Sequence, residues 1–117
     1  MPDVCLYFQV HQPNRLVYCD PAARGVSSFH EDDAMNAAIL SRVAESGALP
    51  ANRMFKRLIE QHEGRFRFAL SISGTAIEQM ERHRPDVLES FQDLVAGGGV
   101  ELLAETYYHS LSFIHSN

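Results

Sequence analysis

The 117-residue chain contains no tryptophan, only two cysteines, and ten basic residues against fifteen acidic ones. Each shortage excludes something. Without tryptophan, the broadest flat ring for stacking on a sugar face is missing, although seven phenylalanines and four tyrosines leave smaller platforms. Cys5 and Cys19 are too few for a disulfide framework or a four-ligand zinc site, and such usage fits a reducing compartment. A net charge of −5 provides no basic stripe for nucleic acid and suits a neutral or cationic ligand better. No apolar run approaches the roughly 20 residues that a membrane span requires. Met1-Pro2-Asp3 leads straight into an apolar segment with no basic stretch before it, so no secretory signal is expected and a cytoplasmic setting is.

What is present is the balance of a folded domain. Hydrophobic residues make up 45% and charged residues 21%, which excludes a disordered tail, a collagen-like repeat or a coiled coil. The length fits one modest domain, and residues 1–117 show no internal boundary.

Along the chain, residues 3–10 form a short apolar run rich in β-formers and read as a buried strand, ended by His11-Gln12-Pro13. Residues 14–30 mix Pro, Gly, Ser and Asp without a period and read as a long loop. From Glu31 the pattern turns helical, with Gly47 as the expected stop. Pro50 opens a second helix, in which Met54, Phe55, Leu58 and Ile59 make one apolar stripe. Phe66 to Ile72 reads as the second strand. Ser73-Gly74-Thr75 then caps a helix, Pro85 starts another, and the Gly97-Gly98-Gly99 run breaks it. Val100 to Ala104 reads as the third strand. Strands separated by helical stretches imply an α/β fold with about three parallel strands and right-handed crossovers. A closed barrel of this kind takes about 250 residues, so the chain amounts to less than half of one, with an uncovered strand edge open to self-association.

Parallel α/β folds bind ligands at the C-terminal ends of their strands. That rule singles out His11 and Gln12, Ser73-Gly74-Thr75, and the stretch Glu101 to His109. His11 either closes the sheet rim through a hydrogen bond, donates to a ligand hydroxyl or serves as a metal ligand. Glu101 lies among apolar neighbours, so it needs a salt bridge to a group such as Arg65 or Arg67, or else a solvated cavity. Glu105 is four residues on, and strand alternation would place both carboxylates on one face about 13 Å apart. Two inward carboxylates would suit sugar hydroxyls or general acid/base work, and they could equally be one site residue and one loop residue. Tyr107, Tyr108 and His109 bring aromatic and hydrogen-bonding groups to the same rim. Ser73-Gly74-Thr75 reads mainly as a cap, and Glu31-Asp32-Asp33 as a favourable acidic first turn. His109 and His115 are six apart, which does not put both on one helix face as a metal pair. No phosphate loop, nucleophile elbow or dinucleotide fingerprint occurs, and no metal site or cofactor is expected.

Two stretches carry a family likeness. Val4-Cys5-Leu6-Tyr7-Phe8-Gln9-Val10-His11-Gln12-Pro13 resembles the first signature region of glycoside hydrolase family 57, the α-amylase and 4-α-glucanotransferase family. Gly99-Val100-Glu101-Leu102-Leu103-Ala104-Glu105-Thr106-Tyr107-Tyr108-His109-Ser110 resembles its second. Leu49 to Arg53 and Ser71 to Thr75 fit the same branch, so the likeness spans nearly the whole chain. It implies the start of a catalytic (β/α)7 TIM-like barrel, with His11 and Glu101 lining the site of an α-glucan or maltooligosaccharide. It also implies a retaining reaction whose Glu nucleophile and Asp acid/base belong to later signature regions, so that no catalytic residue is expected within these 117. The chain is then expected to be a truncated N-terminal part, inactive alone, with His11, Gln12, Glu101, Glu105, Tyr107 and His109 as substrate-binding residues. Two other readings stand beside it: a non-catalytic carbohydrate-binding remnant, and a metal-dependent deacetylase-like enzyme that would need an Asp and two His at one mouth.

Overall fold

The computed structural model describes residues 2–18, 22 and 29–110. Strand β1 (Tyr7–Val10) is followed by two short strands, β2 (Leu16–Tyr18) and β3 (Phe29–Glu31), and then by helix α1 (Asp33–Val43). A π-helical turn (Ala44–Ala48) joins α1 to α2 (Leu49–Gln61). Strand β4 (Phe68–Ile72), helices α3 (Gly74–His83) and α4 (Pro85–Ala96), and strand β5 (Val100–Leu102) complete the order.

The three-stranded sheet is parallel, in the order β1-β4-β5. Its register sets Gln9 beside Ser71, Tyr7 beside Ala69, and Ala69 beside Glu101. The expected α/β class with three parallel strands is therefore found, although each strand is shorter than the apolar run that announced it. The stretch read as a loop over residues 14–30 contains an antiparallel ribbon, in which Leu16 pairs with Glu31 and Val17 with His30. Three-residue strands are too short to show a period, so their pairing is a tertiary event. Residues 19–21 and 23–28, in the rest of that expected loop, lie outside the described residues, as do Cys19 and the stretch 111–117 with His115.

Gly47 does not stop a helix. It keeps out of the left-handed backbone region, which Gly64 (φ 78°) and Gly98 (φ 80°) do occupy after α2 and α4. The helical path widens instead, with the Leu49 N–H donating to the Ala44 carbonyl, and Pro50 enters in the first turn of α2, where its missing N–H is harmless. Helix α1 starts at Asp33 and not at Glu31, and Asp32, expected within an acidic first turn, is its cap: the Asp32 side chain accepts from the Met35 N–H at 3.0 Å.

The helices pack on the sheet face that carries Phe68 and Leu70, and Ile59, Met80, Val87 and Phe91 are buried there. Phe8, Phe55 and Phe68 form a ring cluster, with centroids 5.0 Å apart for Phe8 and Phe55 and 4.5 Å for Phe55 and Phe68. Each such side chain removed from water contributes about 1.5–3 kcal/mol. Alternation turns Tyr7, Gln9, Ser71 and Glu101 to the opposite face. The Leu103 N–H continues the β4–β5 ladder by donating to the Leu70 carbonyl at 2.9 Å, and beyond it Glu105 reaches Ser71 and Gln9 on that face. Among the described residues, no helix is long and apolar enough to cross a membrane.

Candidate functional site

Polar groups from all three parallel strands meet at the C-terminal end of the sheet. Ser71 and Ser73 come from β4 and the residue after it, Gln9 and His11 from β1 and its end, and Glu105 and His109 from the segment beyond β5. Gln9 Nε2 donates to Glu105 Oε2 at 3.0 Å and to His109 Nδ1 at 2.8 Å. An amide nitrogen has only protons to give, so His109 Nδ1 is the acceptor and its ring proton sits on Nε2. Ser71 Oγ also donates to Glu105 Oε2, at 3.1 Å, and shares a 2.6 Å hydrogen bond with Tyr7 Oη.

His11 Nδ1 lies 2.7 Å from Ser73 Oγ, the same oxygen that caps α3 by accepting from the Ala76 N–H at 3.3 Å. The cap and the imidazole thus fix each other. The His11 ring faces that of His109 with centroids 4.8 Å apart. Burial holds His11 below the ordinary imidazole value; nearby His109 adds to that, and Glu105 opposes it. His11 is therefore neutral at neutral pH.

Glu105 is the most enclosed charge of the group, with a side chain only 11% exposed. Its Oε2 takes the two hydrogen bonds above and lies 3.5 Å from His109 Nδ1. Its Oε1 is buried and receives no hydrogen bond from the described residues. Such an oxygen has lost its water without gaining a donor among the described residues, a costly state.

Three of the residues singled out by sequence stand apart from this cluster. Glu101 is on the same sheet face as His11, but its register with Ala69, and of Ala69 with Tyr7, places it four positions back, roughly 13 Å along the strand direction. There it lines an open hollow of about 620 Å³ with Cys5, Arg65 and Arg67. Neither arginine forms an ion pair with it. Their Nε atoms donate instead to the His62 and Gly64 carbonyls, each at 3.3 Å. Gln12 points away from His11, with Oε1 accepting from Arg15 at 3.5 Å and its carbonyl accepting from Gln79 at 3.3 Å. Tyr107 gives its hydroxyl proton to Glu78 Oε2 at 2.6 Å, and this bond holds the phenol above its ordinary value.

His11, Glu105 and His109 are brought together. Gln9 and Ser71 join them without having been singled out, because the strand runs around them read as apolar. The signal available was the period of two, which puts Gln9 two residues before His11 and Ser71 two before Ser73. Among the described residues, no group of three His, Cys, Asp or Glu side chains is close enough to hold a metal ion.

Comparison with known proteins bears on what this arrangement serves. A 106-residue stretch is 36% identical to a Methanocaldococcus jannaschii protein named "Putative alpha-amylase", covering 90% of this chain and 22% of that protein. The chain thus spans about a fifth of the length of the curated relative it matches. No solved structure matches it significantly. The model of glycosyl hydrolase family 57 matches residues 5–117, including both polar stretches that meet at the sheet end. With that match over nearly its whole length, the chain belongs to glycosyl hydrolase family 57.

Proposed function

We propose that the chain forms one wall of the sugar site of a retaining glycoside hydrolase acting on α-1,4-glucan, within a (β/α)7 barrel of which its sheet is a part. Family membership and the name of the relative support the reaction class. The observation that carries the sugar site is the Glu105 carboxylate, 11% exposed, held by Gln9 and Ser71 beside the imidazoles of His11 and His109 at the strand ends. A glucose ring offers hydroxyl donors of the right kind. His11 and His109 would supply ring N–H groups to sugar oxygens, and Glu101 would extend the same wall toward the other end of the strands. Such contacts orient a glycosidic bond without breaking it, since retention needs two carboxylates about 5–5.5 Å apart. The nucleophile Glu and the acid/base Asp are assigned to chain outside these 117 residues, so the 117-residue chain binds glucan and does not cleave it. Its edge strands also offer pairing to a second copy.

Calorimetric titration with maltotetraose tests the reading. Saturable binding is expected, weakened about tenfold by Glu105→Gln, the loss due to one charge-assisted hydrogen bond. No reducing sugar should be released from starch. Absence of saturable binding overturns the sugar site. Turnover by pure protein that Glu105→Gln abolishes overturns the assignment of the catalytic pair elsewhere.

A further inference from the structure

Tyr107 stands two residues after Glu105 and two before His109, yet its side chain takes no part in the cluster those two residues form. It is anchored to the first turns of α3 in three ways. Its ring covers Gly74, where an added Cβ would run into the Cγ, Cδ2 and Cε2 atoms of that ring. Its carbonyl accepts from the Thr75 N–H at 3.2 Å. Its hydroxyl donates to Glu78 Oε2, whose other oxygen accepts from Arg82 at 3.3 Å. Arg82 is tied in turn to Glu31 at 2.9 Å and Asp33 at 3.1 Å, so the acceptor of the phenol is itself braced from the ribbon and from α1.

Besides the hydrogen bonds of its two site groups to Gln9 and Ser71 and the ring contact with His11, the segment bearing Glu105 and His109 depends on this anchor. It is a tight turn, with the His109 N–H donating to the Thr106 carbonyl at 3.0 Å and His109 itself at φ 54°, a conformation that costs an L-residue energy. A turn of that kind keeps two site groups in place only if something between them is clamped. We propose that Tyr107 is a positioning residue: docked on Gly74 and Glu78, it holds Glu105 and His109 against Gln9, Ser71 and His11. Gly74 is then required at the start of α3 for the ring that lies on it, beyond any role in the cap. The positioning stands on these contacts alone; only its effect on sugar binding rests on the function proposed above.

The test compares Gly74→Ala and Tyr107→Ala in the 117-residue chain, read by NMR titration of the His11 imidazole. His11 faces Ser73, the residue after β4, and His109 and Glu105 on the turn. Releasing the turn removes both titratable neighbours and much of the burial, so the His11 midpoint rises toward its ordinary value of about 6.5 in either variant. Tyr107→Phe keeps the ring on Gly74 and leaves that midpoint nearer the parent's. Maltotetraose binding falls about tenfold in the two releasing variants, the weight of one hydrogen bond to a charged group. A folded variant with an unmoved His11 midpoint overturns the proposal. Loss of cooperative melting in both variants also overturns it, since Tyr107 would then support the fold as a whole. If the midpoint moves as expected while the parent fails to bind maltotetraose, the positioning holds and the glucan reading fails.

Discussion

His11 joins the cap of a helix, the end of a strand and the ring of His109, and its protonation couples all three. Its folded-state value lies below that of an unfolded imidazole, so the unfolded chain takes up the proton first. The stability that neutral His11 contributes is complete above about pH 6.5 and is lost as pH falls below that value, until the folded protein is protonated too. His11→Asn keeps a hydrogen-bonding side chain for Ser73 but does not titrate. Urea unfolding of the two proteins at about pH 7.5 and about pH 5.5 should therefore show the parent losing more stability than the variant on acidification. Equal losses would mean that His11 is not the coupled group. At this scale the residue types were legible: an imidazole at a strand end and a carboxylate in the following rim segment are unusual enough to stand out. Gln9 and Ser71 were hidden because a single polar residue in an apolar strand leaves the run looking buried. Only the register, which sets them side by side, turns them into partners for Glu105.

At the scale of elements, glycines separate what local sequence decides from what packing decides. Gly98, after α4, occupies the left-handed region with open space around it, and local backbone chemistry explains it. Gly99 is different. A Cβ there would meet Ile59 Cδ1, Cγ1 and Cγ2 at 2.7, 2.8 and 3.1 Å, so the entry to β5 passes directly under α2. Gly99→Ala should lower the unfolding free energy by about 1–3 kcal/mol, the usual cost of overpacking, as measured by denaturant titration. A change within error would show that Ile59 yields without strain. Helix existence was legible from apolar spacing and from the cap at Ser73. The passage from α1 to α2 was not, because a glycine marks a stop only when the backbone turns left-handed, and the π turn lets the chain carry on through Gly47. The β2–β3 ribbon was equally hidden, since two three-residue strands gain their identity from each other.

For the molecule as a whole, the two outer strands are the surface to test. Among the described residues, β1 and β5 are the edges of the parallel sheet, and Tyr7 and Leu102 on them are 53% and 55% exposed, with Leu103 at 42%. Open edges bearing apolar side chains template pairing with further strands. Sedimentation velocity should show the weight-average mass of the 117-residue chain rising with concentration, and Leu103→Lys should shift it toward the monomer. A concentration-independent monomer in both would remove the edge-pairing expectation.

The order of the three parallel strands and the helices between them, the parallel α/β class and the identity of three polar rim residues followed from the sequence itself. Burial patterns, caps and residue chemistry act over a few positions and need no partner to be read. The tertiary structure alone decided which carboxylate joins the cluster around His11. Glu101 and Glu105 have the same chemistry, but strand register carries one to the far end of the sheet, while the turn anchored by Tyr107 folds the other back onto Ser71 and Gln9.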